Sequence, residues 1–76
     1  MRKNDRDKFV RLATKRVNAA LKAIQLIGNL SNRSNYDYGD EDVQKIFKAL
    51  QEELNTSRKK FDLAQKRQTG NLFSFD

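Results

Sequence analysis

Almost nothing in this sequence can stop a helix. There is no proline, and the three glycines, Gly28, Gly39 and Gly70, divide the chain into two long stretches and a short end. Proline and glycine are the strongest local breakers of regular structure, so a chain this poor in them favours a few long helices over many short strands. The apolar spacing agrees. Between Asp5 and Ile27, the residues Val10, Ala13, Val17, Ala20, Ile24 and Ile27 recur in alternating steps of three and four, as one face of a helix requires. A first helix is therefore expected over about 5–27, roughly 35 Å long at the usual rise per residue. Gly28 and Asn29 both tolerate the left-handed conformation that closes a helix, and the polar run SNRSN follows them.

A second helix is expected over about 40–68. Asp40, Glu41 and Asp42 place three negative charges in its first turn, next to the positive end of the helix dipole. Val43, Ile46, Phe47, Leu50, Leu54, Phe61 and Ala64 then form a narrow apolar stripe, while Gln44, Lys45, Lys48, Gln51, Glu52, Lys59 and Lys66 point elsewhere. Thr69-Gly70-Asn71 breaks the pattern and leaves a tail over 69–76 that includes LFSFD.

Two long helices joined by a connection over 28–39 most simply make an all-α antiparallel two-helix hairpin, a single helical domain over 1–76 with a short C-terminal tail. Its expected core is Val10, Val17, Leu21, Ile24, Ile27, Ile46, Phe47, Leu50, Leu54 and Phe61. Chains of 76 residues bury a low fraction of their surface, and this one has no cysteine or histidine with which to add a disulfide or a zinc site. The two helices also differ in apolar width. The first carries a further set, Leu12, Ala19, Ala23, Leu26 and Leu30, away from its main stripe, which one partner helix does not cover. Ala19 and Ala23, four apart, permit a close helix approach. A second copy, as a homodimer, or a larger protein is expected to pack there. The alternative is that the tail and the two tyrosines fold back over it.

Catalysis is readily set aside. Without histidine or cysteine there is no nucleophilic triad and no histidine general base, and no glycine-rich phosphate loop or dinucleotide fingerprint is present. Asp37, Asp40, Glu41 and Asp42 supply oxygen ligands of the kind that suit magnesium or calcium. Their order, DYGDED, lacks the alternating ligands and the terminal glutamate of a calcium loop, and acids at a helix start have an ordinary electrostatic use. No metal, cofactor or catalytic residue is expected.

Charge is distributed unevenly along the chain. Residues 1–22 hold eight basic side chains (Arg2, Lys3, Arg6, Lys8, Arg11, Lys15, Arg16, Lys22) against Asp5 and Asp7, a net of +6. Residues 56–68 hold Arg58, Lys59, Lys60, Lys66 and Arg67 against Asp62, a net of +4, and residues 36–55 carry a net of −4. In an antiparallel hairpin both basic segments would fall at the open end and the acids near the connection. Such a gathering of like charge is relieved by a polyanion, and Lys8, Arg11, Lys15 and Lys22 follow one face at a spacing suited to a phosphate backbone. Arg6, Lys8, Arg11, Lys15, Lys22, Arg58, Lys59 and Lys66 are the candidate nucleic-acid contacts; the plainer reading is a solvated surface that keeps a basic protein soluble. Membrane binding is not expected, because the apolar stripe opposite the charge is needed for the core. No run approaches a membrane span, and MRKNDRDKFV alternates charges where a signal peptide would be apolar, which points to the cytoplasm.

The connection GNLSNRSNYDYG combines amide and hydroxyl side chains with Arg33, Tyr36 and Tyr38. Such groups read base edges or stack on unpaired bases. They also build ordered turns, the reading preferred here, and the segment is too long for the turn of a helix-turn-helix.

The stretch RVNAALKAIQLIGNLSNRSNYDYGDEDVQKIFKALQEEL, with RKKF after it, resembles a group of short uncharacterised helical proteins of bacteria and their mobile elements. The resemblance covers about two thirds of the chain and rests on IGNLSNRSNYDY followed by DEDVQKIFKAL. It implies a bacterial or mobile-element setting and no particular activity. Gly39 departs from the group's pattern, where a Thr or Ser helix cap is expected.

Two functions follow from these features. One is a small basic, non-enzymatic accessory protein that binds nucleic acid or a nucleoprotein assembly. The other is an adaptor or inhibitor from a mobile element that docks on a larger protein through Leu12, Ala19, Ala23 and Leu26 and through Leu72, Phe73 and Phe75 of the tail. Leaving two phenylalanines in water forgoes roughly 1.5–3 kcal/mol each, so the tail either folds back or docks on a partner. Deleting residues 71–76 separates these outcomes: fold-back predicts a clear loss of thermal stability, and docking predicts an unchanged melt with lost partner binding.

Overall fold

The computed structural model describes the backbone over residues 3–72 and the side chains over residues 3–65. Over that span the chain is all-α. Its elements in order are α1, Lys3–Gly28, a 3-10 turn, Asn29–Ser31, and α2, Asp40–Leu72. The chain divides into two units, Met1–Asp37 and Tyr38–Asp76, each built on one of the helices.

In the first unit, α1 runs through twenty-six residues with no interruption. It ends differently from the expectation. Gly28 keeps right-handed helical geometry, with φ −60° and ψ −30°, and no described residue has a positive φ. The left-handed closure expected at Gly28-Asn29 is absent. The last turn instead tightens into 3-10 geometry, which satisfies orphan helix carbonyls by shorter-range bonds, and the chain turns extended at Asn32, with φ −69° and ψ 101°. Asn32 then organises the turn. Its backbone carbonyl accepts from the amides of Asn35 at 3.1 Å and Tyr36 at 3.0 Å. Its side-chain oxygen accepts from the Ser34 amide at 3.1 Å and from the Ser34 hydroxyl.

In the second unit, α2 starts at a cap formed with half of the usual groups. The Gly39 carbonyl accepts from the amides of Asp42 at 3.1 Å and Val43 at 3.3 Å, and the Gly39 amide donates to Asp42 Oδ2 at 3.0 Å. This is the backward arm of a capping box, with aspartate in place of the usual glutamate; glycine has no side chain to supply the forward arm. Further along, Gln51 Nε2 donates to Asn55 Oδ1 at 3.3 Å, and Arg58 pairs with Asp62 at 3.2 Å, both one turn apart.

Two expectations about α2 need correction. The helix does not stop at residue 68. It continues through Thr69-Gly70-Asn71 to Leu72, because glycine inside a helix costs only about 1 kcal/mol and its neighbours require no turn. The segment 69–72 is therefore helix, and Leu72 belongs to α2. Residues 73–76, including Phe73 and Phe75, lie outside the described residues.

The expected core draws residues from both units, and neither unit by itself buries its share. None of the described residues is buried. Val10, Val17, Leu21, Ile24, Phe47, Leu54 and Phe61 are exposed, and Ile27, Ile46 and Leu50 are half-buried. Helical periodicity places apolar residues on one face, but burial requires something laid over that face.

The half-formed cap yields a test. A Cβ at Gly39 would meet nothing within 4 Å, so Gly39→Ser can supply the missing arm and should raise the stability of α2 by a few tenths of a kcal/mol. Asp42→Ala should lower it by about 0.3–1 kcal/mol through loss of the Gly39 bond and of charge at the dipole. Thermal melts followed by circular dichroism would check both signs.

Candidate nucleic-acid interface

The strongest charged surface lies on α1 alone. At about 100° per residue, Lys8, Arg11, Lys15 and Lys22 fall within about 60° of arc on this regular helix, and they span about 21 Å along its axis. Asn4 and Asn18 share or border the same arc, Asp7 lies about 40° beyond one edge, one turn before Arg11, and Asp5 about 60° beyond the other, one turn before Lys8. All four cations are exposed, and none is held in an ion pair among the described residues. A row of fixed positive charge with amides beside it is suited to a phosphate backbone: the cations neutralise phosphates, and the amides donate to phosphate or base oxygens.

The other candidate cations do not share this arrangement. The Arg6 guanidinium lies 5.9 Å from the ring centroid of Phe9. Its position on the wheel is on the apolar side of α1, away from the row, where a cation gains from the face of the ring. Arg58 is engaged by Asp62. That pair is exposed on both sides and is worth little to stability, but it offsets the charge Arg58 would offer a ligand. Lys59 is exposed on a face of α2 that it shares with Lys48, Glu41 and Glu52, so signs alternate there. Lys66 is in α2, with its side chain outside the described residues. Position alone could have separated these groups in the sequence, since acids interleave the basic residues of α2 by turns and those of the α1 row do not.

The apolar candidates of α1 have nothing laid over them within their own unit, and the side chains of Leu72, Phe73 and Phe75 lie outside the described residues. Leu26 is 59% exposed, Ala19 and Ala23 are exposed, and Leu12 is half-buried. The acidic group at the start of α2 has structural employment: Asp42 caps Gly39, and among the described residues no cluster of acids is arranged to hold a metal ion. No helix of the described residues is long and apolar enough to cross a membrane. Comparison with protein-family models, with curated proteins and with solved structures returns no match.

The connection has a turn's architecture, with Asn32 at its centre and Ser34 bonded back to it. Asn32→Ala should remove both side-chain bonds. Because the site is exposed, the cost to stability should be no more than about 1 kcal/mol, while the Ser34 amide should exchange with solvent markedly faster. Amide exchange by NMR would check this.

Proposed function

We propose that this chain is a small basic, non-enzymatic accessory protein that binds nucleic acid, free or in a nucleoprotein assembly, through the row Lys8, Arg11, Lys15 and Lys22 of α1. The observation that supports the reading is that row: four exposed cations along about 21 Å of one helix face, in no ion pair among the described residues, with Asp5 and Asp7 only at its edges. A surface needed only for solubility would be expected to mix signs, as the face of α2 around Lys48, Glu52 and Lys59 does. Phosphate recognition needs neither histidine nor cysteine, and a cytoplasmic place in a bacterium or one of its mobile elements fits the composition and the resemblance of the IGNLSNRSNYDY stretch.

A second reading, docking on a larger protein as an adaptor or inhibitor, draws support from the uncovered Leu12, Ala19, Ala23 and Leu26. Salt dependence separates the two, because counterion release gives a steep slope and an apolar helix interface gives a shallow one.

The test is binding to a 20-base-pair duplex and to a single strand of equal length, titrated over a range of salt. The logarithm of affinity should fall linearly with the logarithm of salt, and Lys8→Gln with Lys15→Gln should reduce the slope by about 2, close to one for each phosphate no longer neutralised. A shallow slope unaffected by these changes, with partner binding abolished by Ala23→Glu, would favour the docking reading instead.

A further inference from the structure

The exposed stripe of α2 has a stricter order than an amphipathic helix requires. With Ile46 beside the row and Ser57 as its one polar member, Val43, Phe47, Leu50, Leu54, Ser57, Phe61 and Ala64 follow one another in steps of four and three. That is a repeat of 3.5 residues, the period of a coiled-coil seam rather than of a broad core-facing face. Within its own unit nothing is laid over the stripe: Phe47 is 54% exposed, Leu54 and Phe61 are each 58% exposed, and Val43 and Leu50 are half-buried.

The charge of α2 indicates what covers it. Residues 40–55 carry Asp40, Glu41, Asp42, Glu52 and Glu53 against Lys45 and Lys48, a net of −3, and residues 56–68 carry a net of +4. A helix running antiparallel with the same charge order would set each half against its opposite, and its dipole would run the favourable way. α2 of a second copy has that order. Residues 1–22, at +6, match the +4 segment in sign and would add to it instead of offsetting it.

We propose that α2 pairs antiparallel with α2 of a second copy along this seam. Placing Leu54 opposite the partner's Ser57 sets Leu50 opposite the partner's Phe61 and Phe47 opposite the partner's Ala64, each contact occurring twice by the two-fold axis. Large residues then face small ones in two of the three layers, as close packing favours. A parallel pairing would instead stack Phe47 on Phe47 and Phe61 on Phe61, with like-charged halves side by side. Beside the antiparallel seam, Glu53 lies next to the partner's Lys60 and Lys60 next to the partner's Glu53, the flanking positions that set partner choice in coiled coils. The seam is on α2 and is independent of the basic row on α1.

Because the chain has no cysteine, single cysteines report the pairing directly. The full chain should sediment at twice the 8.9 kDa of one copy. A mixture of Phe47→Cys and Ala64→Cys chains should oxidise to a disulfide joining one variant to the other, with little product from either variant alone. Lys60→Glu should weaken the dimer by roughly tenfold in Kd, since two flanking pairs become repulsive, and adding Glu53→Lys should restore it. Cross-linking of Phe47→Cys with itself would mean a parallel pairing and overturn the proposal, because the antiparallel register sets the two Phe47 positions about 25 Å apart. A parent that stays monomeric at about 100 µM, without mixed disulfide, would overturn it equally and assign the stripe to another occupant.

Discussion

The apolar stripes of α1 and α2 govern what this chain can be. An isolated helix in water is marginal even at a favourable length, because nucleation is costly and each added residue gains little; proteins stabilise helices chiefly by covering an amphipathic face. Here the faces are well formed and none of the described residues is buried. Local devices are present but small. The Asp42 cap, the Arg58–Asp62 pair and the Gln51–Asn55 bond each contribute at most about 1 kcal/mol, and all are exposed. Together they fix where helices begin and how turns are made, and leave the main source of stability to whatever covers the stripes. Apolar contact is thus a condition of the fold as well as a route to partners.

Charge supplies the direction that apolar contact lacks. A stripe of Val, Leu and Phe accepts many helices in either orientation, whereas the order of acids before bases along α2 distinguishes antiparallel from parallel neighbours and helices of like sign from helices of opposite sign. On α1 the same physics works toward a different partner. Its row of cations has no equal number of acids nearby, so its field reaches outward and is weakened by salt over about 10 Å. On the two proposals made above, one helix would neutralise itself through a copy, and the other would keep an excess for an anionic ligand.

Much of this was legible in the sequence, and the misses have identifiable causes. Apolar periodicity located both helices to within a few residues, and the acidic triplet at Asp40 marked the start of α2. Gly28 and Gly70 misled because glycine permits a left-handed turn without compelling one: a 3-10 turn closes α1 at less distortion, and α2 continues through Gly70. The expected core is a different matter, because it joins residues of both units and neither unit buries its share alone. Period identifies a face, and only a second surface decides whether that face is buried. Among the site residues, counting charge by segment grouped Arg6 with Lys8 and Arg58 with Lys59. Helical position separates them, setting Arg6 over Phe9 and Arg58 against Asp62. The role of Asp42 was visible as charge but not as a bond, since its reach to the Gly39 amide depends on where the first turn begins.

Salt acts unequally on the two surfaces, and that inequality couples them. Counterion release makes nucleic-acid affinity fall steeply as salt rises, by a power close to the number of phosphates neutralised. An apolar seam is held by water exclusion and is little affected, apart from its flanking ion pairs. If the proposed row and seam both operate, the row Lys8, Arg11, Lys15 and Lys22 would bind strongly by itself at low salt, and duplication would add little. At physiological salt each row would be weakened, and two rows on one dimer would recover affinity where both can engage one ligand, because the second binding event becomes intramolecular. A small chain with only four cations in its row has more to gain from pairing than a larger protein with a broad basic surface. Under that reading the seam on α2 and the row on α1 would be complementary, with apolar contact setting the number of rows and charge setting what they hold.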